Sequence, residues 1–426
     1  MPALTLNPFS RPVYVMAKPV GAACNLACEY CYYLDKGFQS HGQVMSDEVL
    51  EAFVKQYIEA QTTNEVMFTW HGGEPTMAGL DFYRRVLRLQ QRYARGRRIY
   101  NSLQTNGTLL TDEWCAFLSR HGWLVGISID GPEQMHDSFR HNRRGASSWA
   151  RVMRGIQLLR KHGCEWNAMA TVNAHNADHP LEFYRFFRDE LGCQFLQFTP
   201  IVEHEQGHVL PFSVQPAQWG TFLCSLFDEW VQHDVGQVFV QLFDSTLANW
   251  AGQLPGVCTM VSTCGHAAVI EANGDVYCCD HFVGPDYLLG NIVKPPYPTL
   301  TSLLYSPRQQ AFGAAKHDSL PAQCRQCQWH FVCQGECPRT RIPAPATHSA
   351  PSSGTRPLAQ ATHAERLGSA PSATQESQPE GNTSYLCQGY RRFFAHVAPA
   401  MDFMKRQLDL GLPPADIMNV IASSKA

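Results

Sequence analysis

Cys24, Cys28 and Cys31 stand in a CxxxCxxC spacing close to the N-terminus. Three thiolates this close suit a soft metal or an iron–sulfur cluster. A closed structural zinc site needs four ligands, so zinc would have to borrow one from elsewhere. A [4Fe–4S] cluster held by three cysteines keeps one iron open, and an open iron can bind a further ligand. A second group opens at Cys258. It runs through Cys264 and Cys279, then Cys324-x2-Cys327-x5-Cys333-x3-Cys337, and ends at Cys387. These eight thiols fill two four-ligand sites, iron–sulfur or zinc. Spacing permits Cys324, Cys327, Cys333 and Cys337 to close one site, so it does not fix the grouping. Between the two groups stands Gly72-Gly73-Glu74-Pro75, where a glycine pair lets backbone approach a ligand closely.

These residues need elements to position them, and the first half of the chain supplies an alternation. Strand-like segments at 13–18, 66–70, 99–104, 124–129, 168–172 and 195–200 alternate with helix-like segments at 47–60, 82–94, 112–121, 149–162, 181–191 and 218–233. Such βα alternation predicts an α/β fold with a parallel sheet and helices outside it. The chemistry-bearing residues fall where strands end. Cys24–Cys31 follows the first, His71–Pro75 the second, Thr105-Asn106-Gly107 the third, Asp130-Gly131-Pro132 the fourth and Asn173 the fifth. In barrel-like α/β folds those ends share one mouth and carry the active site. Ser128 and Asp130, one residue apart, then face the same side, because strand side chains alternate.

From Cys258 the helical periodicity fades and cysteine density rises. Residues 269–271 and 276–278 flank Asn273-Gly274 and read as a β-hairpin with a type I′ turn. Pro, Ser, Ala, Thr and Gln dominate about 342–383, which reads as a disordered insertion. A helix-like tail follows at 390–410. The expected organisation is a core over 1–235, a linker over 236–257 and a second domain over 258–426.

Composition narrows the class. Of 426 residues 44% are hydrophobic and 17% charged, as in a globular protein, and the net charge of −3 argues against a general polyanion binder. Arg84, Arg85, Arg88, Arg92, Arg95, Arg97 and Arg98 read as a solvated helix face. No nucleic-acid or membrane partner is expected. Sixteen cysteines without a recognisable secretory signal point to a cytoplasmic protein that binds metal rather than to a disulfide framework. Cys115, Cys164, Cys193 and Cys224 read as small core hydrophobes, and Cys278 as a neighbour of a ligand. Glu203, His204, Glu205 and His208 enclose Gly207 and read as a solvated loop, not a metal site.

The CxxxCxxC loop, Gly72-Gly73-Glu74-Pro75 and the Ser128/Asp130 pair resemble the radical S-adenosylmethionine (SAM) superfamily, with a partial (β/α)6 TIM-like barrel. The resemblance implies that Cys24, Cys28 and Cys31 hold a [4Fe–4S] cluster whose open iron chelates SAM, yielding a 5′-deoxyadenosyl radical. It implies SAM contacts at Tyr30, Gly73, Glu74, Ser128, Asp130, Arg140 and Leu196; Arg140 reads equally as a surface ion pair, and Leu196 as core packing. The second cysteine group resembles the SPASM extension. By that likeness Cys258, Cys264, Cys279 and Cys337 hold one auxiliary [4Fe–4S] cluster, and Cys324, Cys327, Cys333 and Cys387 another. The long stretch before Cys387 departs from the usual short gap.

Met16-Ala17-Lys18-Pro19, the Cys24–Tyr33 loop, Gln104–Gly107, Leu196–Phe198, Gly274–His281 and Gly389-Tyr390 resemble the anaerobic sulfatase-maturating enzymes most closely. That implies oxidation of a Ser or Cys in a sulfatase active-site motif to Cα-formylglycine. The substrate would be an unfolded or nascent sulfatase, and a flavodoxin or ferredoxin the low-potential electron donor. Asp280 would be the catalytic base, or else a capping carboxylate. Tyr33 and His71 would line the target side chain, with His71 where some members carry glutamine. Another SPASM peptide maturase, such as a thioether-forming one, and a non-catalytic iron–sulfur or zinc partner-binding protein are the alternatives.

Overall fold

The computed structural model describes residues 12–33, 43–205, 207–342 and 382–425. The insertion expected over about 342–383 lies almost entirely outside the described residues. Six parallel strands follow one another in space as in sequence: β1 Tyr14–Ala17, β2 Glu65–Trp70, β3 Arg98–Thr105, β4 Leu124–Ser128, β5 Trp166–Val172 and β6 Phe195–Pro200. Each faces two ways. On β2, Val66, Phe68 and Trp70 are buried under helices, and the rings of Phe53, Tyr57, Phe82 and Tyr83 meet Phe68 and Trp70 edge to face. Their neighbours Met67 and Thr69 face the concave side. The helices begin where capping residues allow: Ser46 accepts the Val49 amide ahead of Asp47–Ala60, and Thr111 that of Trp114 ahead of Asp112–Arg120.

Among the described residues the six strands lie within a ten-stranded sheet that does not close. Beyond β6 comes Phe239–Val240. Beyond β1, Ala267–Ile270 pairs in parallel, followed by Asp275–Tyr277 and Leu288–Asn291 antiparallel. The expected hairpin is therefore present, and it covers the open edge of β1. Its turn differs from the expected type I′. It spans Glu271 to Gly274, closed by the Gly274 amide on Glu271 O at 2.9 Å, with a positive φ at Gly274 but not at Asn273. That is a type I turn followed by a left-handed glycine.

Three further expectations change. Residues 236–257, read as a linker, contain the strand paired with β6 and the helix Gln241–Trp250. The second half holds the helix Pro307–Asp318, whose apolar periodicity is weak because it buries Gln309, Gly313 and Lys316. The helix expected over 181–191 starts as Pro180–Arg185 and widens to a π-turn at Phe186–Glu190. The arginines of the helix Leu80–Tyr93 and the turn after it do form an exposed face, with pairs such as Arg84–Asp81, Arg85–Asp47 and Arg92–Glu51.

The C-terminal helix Cys387–Asp409 returns to pack on Pro216–His233 of the first half. Two glycines permit the crossing: a Cβ on Gly220 would stand 3.0 Å from Gly389 Cα, and one on Gly389 would overlap Pro216 O. Gly389→Ala is expected to destabilise the protein by about 1–3 kcal/mol through overpacking. Chemical denaturation checks this, and an unchanged midpoint would show that the crossing yields.

Candidate active site

The thiol trio sits on the loop after β1, and the glycine pair after β2 clamps that loop. Gly73 N–H donates to Gly21 O at 2.8 Å and Glu74 N–H to Ala23 O at 2.7 Å. A Cβ on Gly73 would overlap Ala23 O. The close approach that demands glycine is to the thiol loop itself. Gly73→Ala is expected to push this loop away and cut iron bound per chain in anaerobically reconstituted protein. Wild-type iron content would contradict this.

Glu74, fully buried, was expected to accept from a SAM ammonium. Its Oε1 takes the Thr76 amide at 3.0 Å, the Thr76 hydroxyl at 2.5 Å and the Thr105 hydroxyl at 2.7 Å; its Oε2 takes the Asn106 amide at 2.8 Å. One lone pair of Oε2 remains. Burial raises its pKa, opposed by these donors. Asn106 in turn donates to Asn25 Oδ1 at 2.9 Å and approaches Cys24 Sγ at 3.8 Å. Glu74 therefore orients the loop that backs Cys24.

Arg140 is buried, not a surface residue. Its Nη1 donates to the Tyr30 hydroxyl at 2.9 Å, and its buried Nε has no acceptor among the described residues. Burial works against its charge, but Tyr30, Cys28 and Asp130 outweigh it. A cation with an unused donor beside the thiol trio suits a carboxylate ligand. The Tyr30 hydroxyl donates to Asp130, which also takes the Thr171 amide at 2.9 Å and hydroxyl at 2.8 Å. Asp130, expected to meet a ribose, is engaged by protein on both oxygens. Ser128 stands on the concave face, accepting from Gln104 Nε2 at 3.0 Å. Leu196 does not. It pairs with Ala168 and lies in the core beneath the helices, and its neighbour Gln197 alternates to the concave side. The side chain of Leu196 thus packs in the core.

Asp280 enters the mouth from the second half. Its carboxylate forms an ion pair with Lys18, a fully buried side chain, and accepts from the Tyr32 hydroxyl. Burial would raise its pKa, but Lys18, then His71 and His281, hold the carboxyl far below the usual range. Lys18 Nζ also lies 4.0 Å from the centre of the Tyr33 ring, and Tyr33 donates to Glu271. His71, half-buried, accepts from Gly72 N–H through Nδ1 at 2.7 Å, which leaves Nε2 as its donor. Desolvation, then Lys18, lower its pKa to about 4, so it is neutral at physiological pH. Sequence reasoning missed Lys18, Tyr32 and Glu271. The position of Lys18 directly after β1, at the strand ends where the other candidates gather, was the available signal.

Arg339 ties the halves together, donating to Glu203 at 2.6 Å and lying 4.9 Å from the centre of the Tyr32 ring. The loop following Glu203 is a short exposed hairpin of His204–Glu205 and His208–Val209.

The eleven thiols sort into a trio and two quartets. Cys24 feels Cys28 and Cys31. Cys279 feels Cys258 and Cys264, and Cys337 feels Cys279 and Cys264. Separately, Cys324 feels Cys387 and Cys327, and Cys333 feels Cys387 and Cys324. Cys337 is thus coupled to Cys279 and Cys264 of the earlier group, and Cys278 is buried. Burial raises the pKa of Cys24, Cys279 and Cys333 to about 12, so a metal must displace their protons. Among the described residues no three His, Cys, Asp or Glu side chains gather tightly enough to hold a metal ion directly.

Comparison with known proteins follows this division. Residues 19–187 match the radical SAM superfamily, and residues 258–328 match the SPASM iron–sulfur cluster-binding domain. A serine-type anaerobic sulfatase-maturating enzyme of Bacteroides thetaiotaomicron is 51% identical over 440 residues, covering 99% of this chain and 98% of its own. A cysteine-type anaerobic sulfatase-maturating enzyme of Clostridium perfringens is 31% identical, covering 92% and 97%. The solved structure of native anSMEcpe with bound AdoMet and Cp18Cys peptide aligns with a TM-score of 0.78 at 30% identity, over 93% of this chain and 100% of that one.

Proposed function

The chain belongs to the anaerobic sulfatase-maturating enzymes of the radical SAM superfamily, and from that premise we propose that it oxidises a serine of a sulfatase active-site motif to Cα-formylglycine. Its cofactors are SAM and [4Fe–4S] clusters. In this reading Cys24, Cys28 and Cys31 hold the cluster that SAM meets. Cys258, Cys264, Cys279 and Cys337 hold one auxiliary cluster, and Cys324, Cys327, Cys333 and Cys387 the other. The choice of serine is supported by the 51% identity to a serine-type relative, against 31% to a cysteine-type one.

The observation that carries the reaction is the Lys18–Asp280 ion pair between the thiol trio and the first quartet. When bound, SAM and its cluster supply a 5′-deoxyadenosyl radical able to take a hydrogen atom from the serine Cβ. Arg140 would hold the SAM carboxylate with its unused donor, supported by Tyr30. Asp280, ionised at neutral pH, accepts the hydroxyl proton of the substrate. Lys18 and Tyr32 keep that carboxylate aimed into the mouth. Tyr33 and neutral His71 line the target side chain, His71 donating through Nε2. The two cysteine quartets would hold the clusters that could take up the one electron the substrate must lose. The serine thereby loses two hydrogens and becomes the aldehyde.

A serine peptide with a sulfatase motif, incubated anaerobically with SAM, reductant and reconstituted enzyme, should lose two hydrogens by mass spectrometry. Conversion of a cysteine peptide alone would reject the serine assignment. No aldehyde from either peptide, with 5′-deoxyadenosine still released, would reject the reaction and favour another peptide maturase. A low-potential flavodoxin or ferredoxin is the proposed source of the initiating electron.

A further inference from the structure

Two cations, Lys316 fully buried and Arg341 half-buried, lie beside the thiol quartets, and the reaction just described does not use them. Lys316 sits in the last turn of the helix Pro307–Asp318 with 1% of its surface exposed. Its Nζ donates to Cys258 O at 3.1 Å and Thr259 O at 2.8 Å, so it fastens the backbone that carries the first quartet. The ionisable groups facing it are Cys264, Glu336, Cys258 and Cys337.

Arg341 is locked to the same helix. Its Nη1 donates to Lys316 O at 2.8 Å and Ser319 Oγ at 3.1 Å, and its Nε to Gly335 O at 3.1 Å. Its Nη2 is buried without a hydrogen-bond acceptor among the described residues. The groups facing Arg341 belong to both quartets: Cys324 of the second, Cys264 and Cys337 of the first, and Glu336 between them. Glu336 is itself buried and takes the hydroxyls of Thr340 and Ser384.

Desolvating an ammonium and a guanidinium costs free energy that carbonyl partners offset only in part. Glu336 is one carboxylate against two cations, and the free Nη2 marks a place for a further negative partner. Four thiolates around an iron–sulfur core supply such charge, and the core gains one more negative charge when it takes an electron.

We propose that Lys316 and Arg341 form a cationic bridge between the two auxiliary clusters, which stabilises their reduced states and draws the departing substrate electron into the second half of the chain. The proposal rests on the assignment of the quartets as cluster ligands. The electron balance is simple. The substrate radical left by hydrogen abstraction is oxidised by one electron, one auxiliary core is reduced by one, and the hydroxyl proton stays with Asp280. Removing a fixed positive charge disfavours the reduced core, so its midpoint potential must fall. Arg341 faces thiols of both quartets, and its removal should lower both potentials; the thiols that act most strongly on Lys316 belong to the first, and its removal should lower that one.

The test uses full-length, anaerobically reconstituted enzyme, with iron counting and redox titration followed by electron paramagnetic resonance. Lys316→Met and Arg341→Met should keep wild-type iron. Lys316→Met should shift one auxiliary potential downward and Arg341→Met both, whereas Lys316→Arg should restore the wild-type value. Unchanged potentials at full iron content overturn the bridge. Where a methionine variant loses iron, the corresponding glutamine variant removes the charge with less loss of hydrogen bonding. If it too loses iron while the charge-conserving Lys316→Arg or Arg341→Lys also fails to hold iron, the side chains fasten the site without tuning it, and the proposal falls. Failure of the ligand assignment is separable, since the wild-type chain would then bind well short of about twelve irons, the content of three four-iron clusters.

Discussion

Asp280→Asn is expected to lower formylglycine formation by about 10²–10⁴-fold, the usual contribution of a positioned general base. The amide keeps the shape of the side chain but cannot take the proton of the substrate hydroxyl. Hydrogen abstraction does not need that proton transfer. Release of 5′-deoxyadenosine should therefore continue, and the ratio of 5′-deoxyadenosine to aldehyde should rise sharply. Because Asp280 follows Cys279, iron per chain is measured alongside, and it should match the wild type. Formylglycine formation within tenfold of wild type at full iron content would remove Asp280 from the base role. A parallel loss of 5′-deoxyadenosine and aldehyde would instead mean that the substitution damages SAM cleavage.

Lys18→Met should act on stability and coupling together. Lys18 is fully buried, its ion-pair partner is Asp280, and the Asp280 side chain is 16% exposed. Removing one member of a buried pair leaves the other uncompensated and costs about 3–5 kcal/mol. Thermal unfolding should report that loss at neutral pH. The folded-state pKa of Asp280 lies below its ordinary value, so the contribution of the pair is complete above the usual carboxylate range. It is lost as pH falls toward the folded value, and wild type and variant should converge in acid. In the protein that remains folded, Asp280 loses the partner that aims it, and 5′-deoxyadenosine should accumulate without matching product. Lys18→Arg keeps the charge and should recover much of both effects. If Lys18→Met left both the unfolding midpoint and the product ratio unchanged, Lys18 would be neither a structural nor a positioning partner of Asp280.

The chemistry of the trio was legible because it is local. Three cysteines within eight residues reach one centre in almost any loop that follows a strand. The six βα units were equally legible, since alternation of period two with period 3.6 is a property of the chain alone. It set β6 at Phe195–Pro200 and the helix at Asp47–Ala60 with the observed bounds. The same alternation would have placed Leu196 under the helices had the register of β6 been known. Register, however, is fixed by pairing with Ala168 on β5, a contact between elements. The glycine pair could be recognised as a place of close approach, but only the fold shows that the thiol loop is what approaches.

By itself the sequence determined which atoms are available: three thiols with room for a fourth ligand, eight more for two closed sites, and a parallel α/β frame whose strand ends face one mouth. Tertiary structure decided how those atoms are grouped. Cys337 is coupled to Cys279 and Cys264 rather than to its neighbours in sequence, and Cys387, at the start of the helix Cys387–Asp409, is coupled to Cys324 across the insertion. Lys18 meets Asp280 across more than 250 positions of chain. A contact that distant is selected by the packing of whole elements, and no local spacing encodes it.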